Sequence, residues 1–461
     1  MKLTHLQTNY ENSPRGVNST PVFSWIIESD KENCVQKSYQ LQIAEWDGVK
    51  KEKYIVFNSG EIVSEESTGV LAEGFDVLPD TEYYWQVEVE DNHGEKVLAE
   101  GYFEGAIAEW KAKWIEPENG GLKIDPTNKM FSAKPSPEDF LMPVNRIFKK
   151  FTVREKPIKA RAYATAHGVY ELSINGKQTD DRLLAPEFTA YQKLICYQIY
   201  DITHLLQVGE NEVSVLLGDG WWGGRIGVSG DGLQYGDKRG LLLQMEITYA
   251  DGNKEYVLSD ENFHCEDDNE IRYADLFIGT KIDHTNNFEK TDIKVVEQDY
   301  GYQMLKPQIG RGVKKLKELK AKLIVTPKGE KLLDFEQTMA GYVIARLHQP
   351  KGTKVVLTHT EILDEKGNFY ENISKSGKNK QQQCIYVCNG EENEVFEPKF
   401  TFQGFRYVKV EGLDEVNPDN FTAIVISTDM DDLSNFSCSN SKLNKLYQNT
   451  RWSQYSNMIS I

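Results

Sequence analysis

Apolar and polar residues alternate over several short runs near the start of the chain. PVFSWII, SYQLQIAEW and YYWQVEVED follow the two-residue period of a strand with one buried face, and in the last run Trp85, Val87 and Val89 share that face. LPDT just before it marks a turn. These runs predict a small β-sandwich over residues 1–107. Alternation resumes in RIFKKFTV, KARAYATAHGVYELSING, KLICYQIYDI and EVSVLLGDG, and LLLQMEITYADGNKEYVLSD reads as two strands about the turn Asp251-Gly252. They predict a second, larger sandwich within residues 108–305, with a polar excursion rich in proline and glycine at about 116–145. A third β unit, residues 306–430, runs from KLIVTPKGEKLLDF through GYVIARLHQPKGTKVVLTHTEIL and FEPKFTFQGFRYVKVEGL to FTAIVIST. KKLKELKAKL, just ahead of it, fits a short helix or an exposed basic strand equally well.

The period changes once. In NKLYQNTRWSQYSNMISI, residues Leu443, Leu446, Tyr447, Tyr455 and Met458 recur at helical spacing, behind Ser439 or Asn440 as N-cap. Residues 431–461 therefore predict one closing helix whose apolar stripe has no visible partner. The expected fold class is all-β, a multi-domain array of β-sandwiches ending in that helix. The first sandwich is similar to a fibronectin-III or immunoglobulin-like module, and the next two are jelly-roll-like.

A chain of 461 residues suits roughly three domains of ordinary size. The formal net charge of −18 argues against nucleic acid and anionic membrane surfaces as partners, because both call for a basic face. A neutral partner such as a carbohydrate fits better. MKLTHLQTNYENSP lacks the apolar core of a signal peptide, and no apolar run reaches membrane-spanning length. The six cysteines are scattered without a CxxC pair, so a reducing cytoplasm is the expected location. In CIYVC, Cys384 and Cys388 would share one face of a strand. The histidines show no metal spacing, and neither metal nor cofactor is expected.

Gly218-Asp219-Gly220-Trp221-Trp222-Gly223 matches the dinucleotide pattern GxGxxG after a strand, with Asp237 about 20 residues on. The context fails. Gly224, Gly227, Gly230 and Gly232 follow where a phosphate-binding helix would have to start. What remains is a glycine-rich loop with two tryptophans and two charges. Indoles stack on the C–H faces of sugar rings, and Asp and Arg bind hydroxyls in pairs. Asp219, Trp221, Trp222 and Arg225 are therefore candidate carbohydrate contacts. The competing reading is that the loop packs against a neighbouring domain.

Longer runs carry a resemblance. GVYELSINGKQTDDRLLAPEFTAYQKLICYQIYDITHLLQVGENEVSVLLGDGWW resembles the amino-terminal β-sandwich domain of bacterial α-L-rhamnosidases, glycoside hydrolase family 78. LLDFEQTMAGYVIARLHQPKGTKVVLTHTEILDEKGNFYEN, followed by FEPKFTFQGFRYVKVEGL, resembles that family's concanavalin-like domain. One departure is Glu187-Phe188, where the family usually shows Gly-Trp. The resemblance implies that SCSNSKLNKLYQNTRWSQYSNM is the helical lead-in to an (α/α)₆ barrel holding the catalytic acids. It also implies that the parent protein removes terminal α-L-rhamnose with inversion. On this expectation the chain has no catalytic residue of its own and is inactive alone. Its partners would be a rhamnosylated glycan or glycoside, the missing barrel, and a second copy of the chain covering the helix. The acidic pairs nearest to a catalytic spacing are Asp334 with Glu336, and Glu361 with Asp364 and Glu365, which read instead as strand and turn residues. The alternatives are a stand-alone carbohydrate-binding or adaptor protein without catalysis, and the front half of a related glycosidase with another sugar specificity.

Overall fold

The strand Glu82–Asp91 turns Tyr83, Trp85, Val87 and Val89 inward, as its alternation requires. It lies mid-sheet between Gln36–Asp47 and Lys96–Gly105 in a five-stranded layer. A three-stranded layer of Lys2–Thr8, Val22–Glu28 and Val70–Leu71 packs on it, and the two share one core of Phe23, Trp25, Leu41, Ile43, Trp85 and Phe103. The computed structural model describes residues 1–460 apart from 119–136, 140, 228–229, 268–269, 286, 289–290, 309 and 372–381. The expected excursion at 116–145 falls largely outside the described residues.

The second sandwich faces a five-stranded sheet, centred on Val169–Ile174, Gly209–Gly218 and Asn145–Val153, against a seven-stranded one. Lys159–His167 and Gly240–Thr248 run antiparallel through the latter. Alanines 160, 162, 164 and 166 on the first of these leave room for Leu241, Leu243, Met245 and Ile247 beside them. Lys254–Leu258 returns from Gly240–Thr248 across the turn at Asp251-Gly252, with Gly252 at φ +82°. Only glycine adopts that region cheaply.

The third unit is a ten-stranded sheet with a core of Leu333, Val343, Leu357, Tyr386, Phe405, Val408 and Val425. Cys384 and Cys388 both point into it. Val313–Lys320 resolves the KKLKELKAKL ambiguity as an edge strand pairing with Phe421–Thr428. Outward lysines are a common guard for such an edge. Two strands of this sheet come from an earlier part of the chain. Ile271–Asp275 and Gly279–Asp283 form a hairpin, and Gly279–Asp283 pairs in parallel with Gln383–Val387. Gly279 has φ +109°, and a Cβ there would stand 1.9 Å from the Gln383 carbonyl oxygen. Glycine is obligatory at that crossing.

The closing helix spans Ser441–Asn457, and the Asn440 side chain caps it by accepting from the Lys442 and Leu443 amides. Trp452 packs on the third core, and Lys317 stands over the Trp452 and Tyr455 rings at 5.3 and 5.0 Å. Past the helix, Met458 O accepts from Thr428 N, and Ile459 is buried between the second and third units. Leu446, 59% exposed, and Leu443 stay on the open side. The expected stripe is thus split, its C-terminal end covered by the third unit and its N-terminal end bare.

Candidate functional site

The loop after Gly209–Gly218 contains a single helical turn, Gly220–Gly223, where none was expected. It is too short to present the row of amides that holds a pyrophosphate. Its residues do not project. Asp219 is 3% exposed, and its carboxylate accepts from Arg239 Nε at 2.5 Å. Arg239 is itself 1% exposed, and Asn145 Oδ1 and the carbonyls of Met142 and Pro143 take its other donors. Burial raises the pKa of the Asp219 carboxyl, while the guanidinium beside it pulls the other way.

Arg225 turns the opposite way, with its amide and Nη1 on Asp275 Oδ2 at 3.0 and 3.4 Å. Asp275 Oδ1 also accepts from the Phe277 and Ile278 amides, which closes the turn of the hairpin that crosses into the third sheet. Trp221 is buried in the apolar cluster that joins Tyr163, Tyr191 and Leu242 of the second sandwich to Tyr342, Phe400 and Ile424 of the third unit. Trp222 is half-buried. Its ring stacks on His167 at 3.9 Å with a 1° interplanar angle, and its Nε1 donates to Lys238 O. Trp114 stacks on the other face of His167 at 4.3 Å. Burial between the indoles pushes the His167 pKa down to about 3, so the imidazole is neutral at ordinary pH.

These distances correct the expectation of an exposed sugar platform. Asp219, Trp221 and Arg225 are consumed by packing and ion pairs, and Trp222 spends a face and its N–H inside the fold. The loop is a joint between the second sandwich and the third sheet. Arg239 and Asp275, which decide this, lie 20 and 50 residues from their partners and bore no mark in the sequence.

Asp334, Glu336 and Asp364, three of the other candidate carboxylates, are also committed to structure. Asp334 accepts from Arg406 Nε and Nη2 at 2.9 and 3.0 Å, and Glu336 pairs with Lys322 at 2.6 Å. Asp364 closes a turn by accepting from the Lys366 and Asn368 amides. Glu187 has a specific task. It sits at φ +72°, a conformation suited to glycine, and is buried with its carboxylate on the Val313 amide at 3.1 Å. The next amide, Phe188 N, donates to Ser460 Oγ at 2.6 Å. This segment ties the second sandwich to the start of the third unit and to the tail beyond the helix.

Among the described residues, two clefts lie between domains. One, about 340 Å³, lies between the second and third units and is bridged by the Lys399–Glu171 ion pair, with Lys315 and Tyr342 both on Glu397 at its side. The other, about 1010 Å³, separates the first and second domains.

Comparison with known proteins agrees with this architecture. Residues 3–108 match the Rha78A-like N-terminal immunoglobulin domain, 155–307 the α-L-rhamnosidase N-terminal domain, and 324–427 the bacterial α-L-rhamnosidase concanavalin-like domain. An α-L-rhamnosidase of Formosa agariphila is 28% identical over 98% of this chain and 50% of its own length. One of Streptomyces avermitilis is 32% identical over 77% of this chain and 36% of its own. The chain spans about half the length, or less, of the curated relatives it matches. Among solved structures, the α-L-rhamnosidase of Dictyoglumus thermophilum superposes at a TM-score of 0.86 with 26% identity, over all of this chain and 52% of that one. The Streptomyces avermitilis α-L-rhamnosidase complexed with L-rhamnose superposes at 0.88 and shares the fold at 24% identity, over all of this chain and 60% of that one. Three domain matches in collinear order, over most of its length, show that the chain belongs to the α-L-rhamnosidase family and carries that family's amino-terminal, non-catalytic β domains.

Proposed function

We propose that this chain is the scaffold portion of an inverting α-L-rhamnosidase that releases terminal α-L-rhamnose from glycosides. A helical barrel would supply the chemistry. The observation that carries this reading is the collinear three-domain match together with the helix that follows it, whose Leu443 and Leu446 end lies open beside the exposed segment of Leu433 and Phe436. Inversion needs an acid and a base roughly 6.5–9.5 Å apart with room for water. Of the acidic residues nearest that requirement in the sequence, Asp334, Glu336 and Asp364 are tied to Arg406, Lys322 and turn amides. The proposed partners are a rhamnosylated glycan, the barrel, and a second copy of the chain on the same open face. All six cysteines are free, which supports a reducing cytoplasm as the location. No helix among the described residues is long and apolar enough to cross a membrane.

The test is hydrolysis of an aryl α-L-rhamnoside. The 461-residue chain should show no turnover above buffer, and a protein extended through the downstream reading frame should show it. Turnover by the chain alone, abolished by Asp334→Asn or Glu361→Gln, would overturn the assignment. A stop codon straight after codon 461, with sugar binding retained, would favour a stand-alone binder.

A further inference from the structure

Seven of the eight tryptophans belong to a core or pack against one. Trp25 and Trp85 lie in the first, Trp110, Trp114, Trp221 and Trp222 in or on the cluster joining the second and third units, and Trp452 on the third core. Trp46 belongs to none of them. It ends the strand Gln36–Asp47, is only half-buried, and lines the cleft of about 1010 Å³ between the first and second domains. A partly exposed indole on a concave wall is costly to leave in water unless something covers it.

We propose that this cleft binds a neutral oligosaccharide, with Trp46 as its stacking platform and Asp80 as a hydroxyl acceptor. Size agrees first: the cleft sits at the top of the range usual for ligand sites, about 300–1,000 Å³, which is more than one sugar ring requires. Charge agrees next. Six carboxylates and six cationic side chains line the walls, so the cleft offers no net field to select an ion. Most of these pair with one another, as Lys159 does with Glu82 at 3.0 Å and Lys254 with Glu246 at 3.3 Å. The Trp46 Nε1 is different. It donates to no other described residue, so this N–H is open to a ligand. Asp80, also in the lining, accepts through Oδ1 from Ala108 N at 3.2 Å and from Tyr163 Oη at 3.5 Å, and its Oδ2 accepts from no described residue. Trp46 meets Tyr84 edge-to-face at 6.0 Å, and Tyr84 meets Tyr102 likewise at 5.1 Å, so the platform is braced from behind. A flat apolar face beside mixed donors and acceptors of no net charge is the chemistry of a pyranose, with C–H groups on one side and hydroxyls at the rim. Only the choice of a rhamnose-ended probe rests on the function proposed above.

The experiment titrates the chain with neutral oligosaccharides of about two to four rings, one series ending in L-rhamnose and one in glucose, and with a hexuronate oligomer as charged comparator. Heat and tryptophan fluorescence are followed. Either neutral series should saturate in the millimolar range or below. Trp46→Ala should weaken it about tenfold or more, with the melting temperature held, since about 1.4 kcal/mol is a factor of ten. Thr248→Trp, which adds bulk on the second-domain wall of the cleft, should also block binding. No saturation by tens of millimolar, preference for the hexuronate, or affinity indifferent to both Trp46→Ala and Thr248→Trp would overturn the site. If the glucose series alone binds, the cleft site stands and the rhamnosidase reading loses its link to it. A loss of hydrolysis in the extended protein with cleft binding intact would count against that reading alone.

Discussion

Alanine at Glu104 should detach the first domain from the second at a cost of roughly 3–5 kcal/mol, the range found when one partner of a buried pair is removed. Glu104 closes the strand Lys96–Gly105 and is 4% exposed. Its carboxylate accepts from Arg161 Nε and Nη2, both at 2.9 Å, from Arg15 Nε at 2.9 Å and from Tyr102 Oη at 2.7 Å. Lys159 stands 3.6 Å away. Burial by itself would raise the Glu104 pKa, but Arg161, Lys159 and Arg15 outweigh it and hold the group at about 2, against an ordinary value of 4.5. A depressed acid stabilises the fold above its unfolded pKa and loses that contribution as pH falls through the folded one. The joint should therefore be intact at pH 7 and weaken between about pH 4.5 and 2, by roughly 3 kcal/mol in all. Without Glu104, Arg161 keeps Asp201 at 2.9 Å but has only Glu82, at 3.7 Å, on its other side. Urea unfolding of wild type, Glu104→Ala and Glu104→Gln at pH 7 and pH 3 measures this. An early transition confined to residues 1–107 is expected for Glu104→Ala at pH 7. If that variant unfolds within about 1 kcal/mol of wild type, the network does not hold the domains together.

How much of this was readable in the sequence depended on how far apart the interacting residues lie. Trp85, Val87 and Val89 were legible because a strand's faces are set by neighbours two positions apart. The turn at Asp251-Gly252 was legible for the same reason, its conformation being fixed within four residues. The Asn440 cap and the helix it starts needed only one turn's spacing. By contrast, KKLKELKAKL satisfies both periods, and only its partner Phe421–Thr428 makes it a strand. The hairpin at Ile271–Asp283 reads as part of the second sandwich, yet Gly279–Asp283 pairs with residues about 100 positions later. Nothing local encodes that crossing except the glycine that permits it. The loop at 218–225 misled for a related reason. Its composition suits a sugar platform, and what turns it inward is Arg239 and Asp275, ordinary residues in ordinary strands. Trp46 shows the opposite failure: its run alternates like a core strand, so its place on a cleft wall is visible only when the second domain stands opposite.

The loop also gives the second large effect. Asp219→Ala should destabilise the second sandwich by roughly 3–5 kcal/mol, because it leaves the Arg239 guanidinium buried and unpaired by charge. Asn145 Oδ1 and two backbone carbonyls still accept from Arg239, but none of them carries a compensating charge. In a domain of this size 1 kcal/mol moves the melting point by roughly 2–4 °C, so a fall of about 10 °C is expected. Asp219→Asn should lose less, since the amide can still accept from Nε. The near-ultraviolet signal of the Trp114–His167–Trp222 stack should weaken with it, because Asp219 is the residue from which the turn carrying Trp222 springs. Trp222→Phe separates local from global effects: it should change that signal and cost much less stability, as Trp222 is half-buried and a ring is retained. A role in sugar contact makes the opposite demand, with Asp219→Ala folding normally and losing ligand. If that variant melts within about 2 °C of wild type while oligosaccharide binding disappears, the buried ion pair is not what holds this loop, and Asp219 belongs to a binding surface after all.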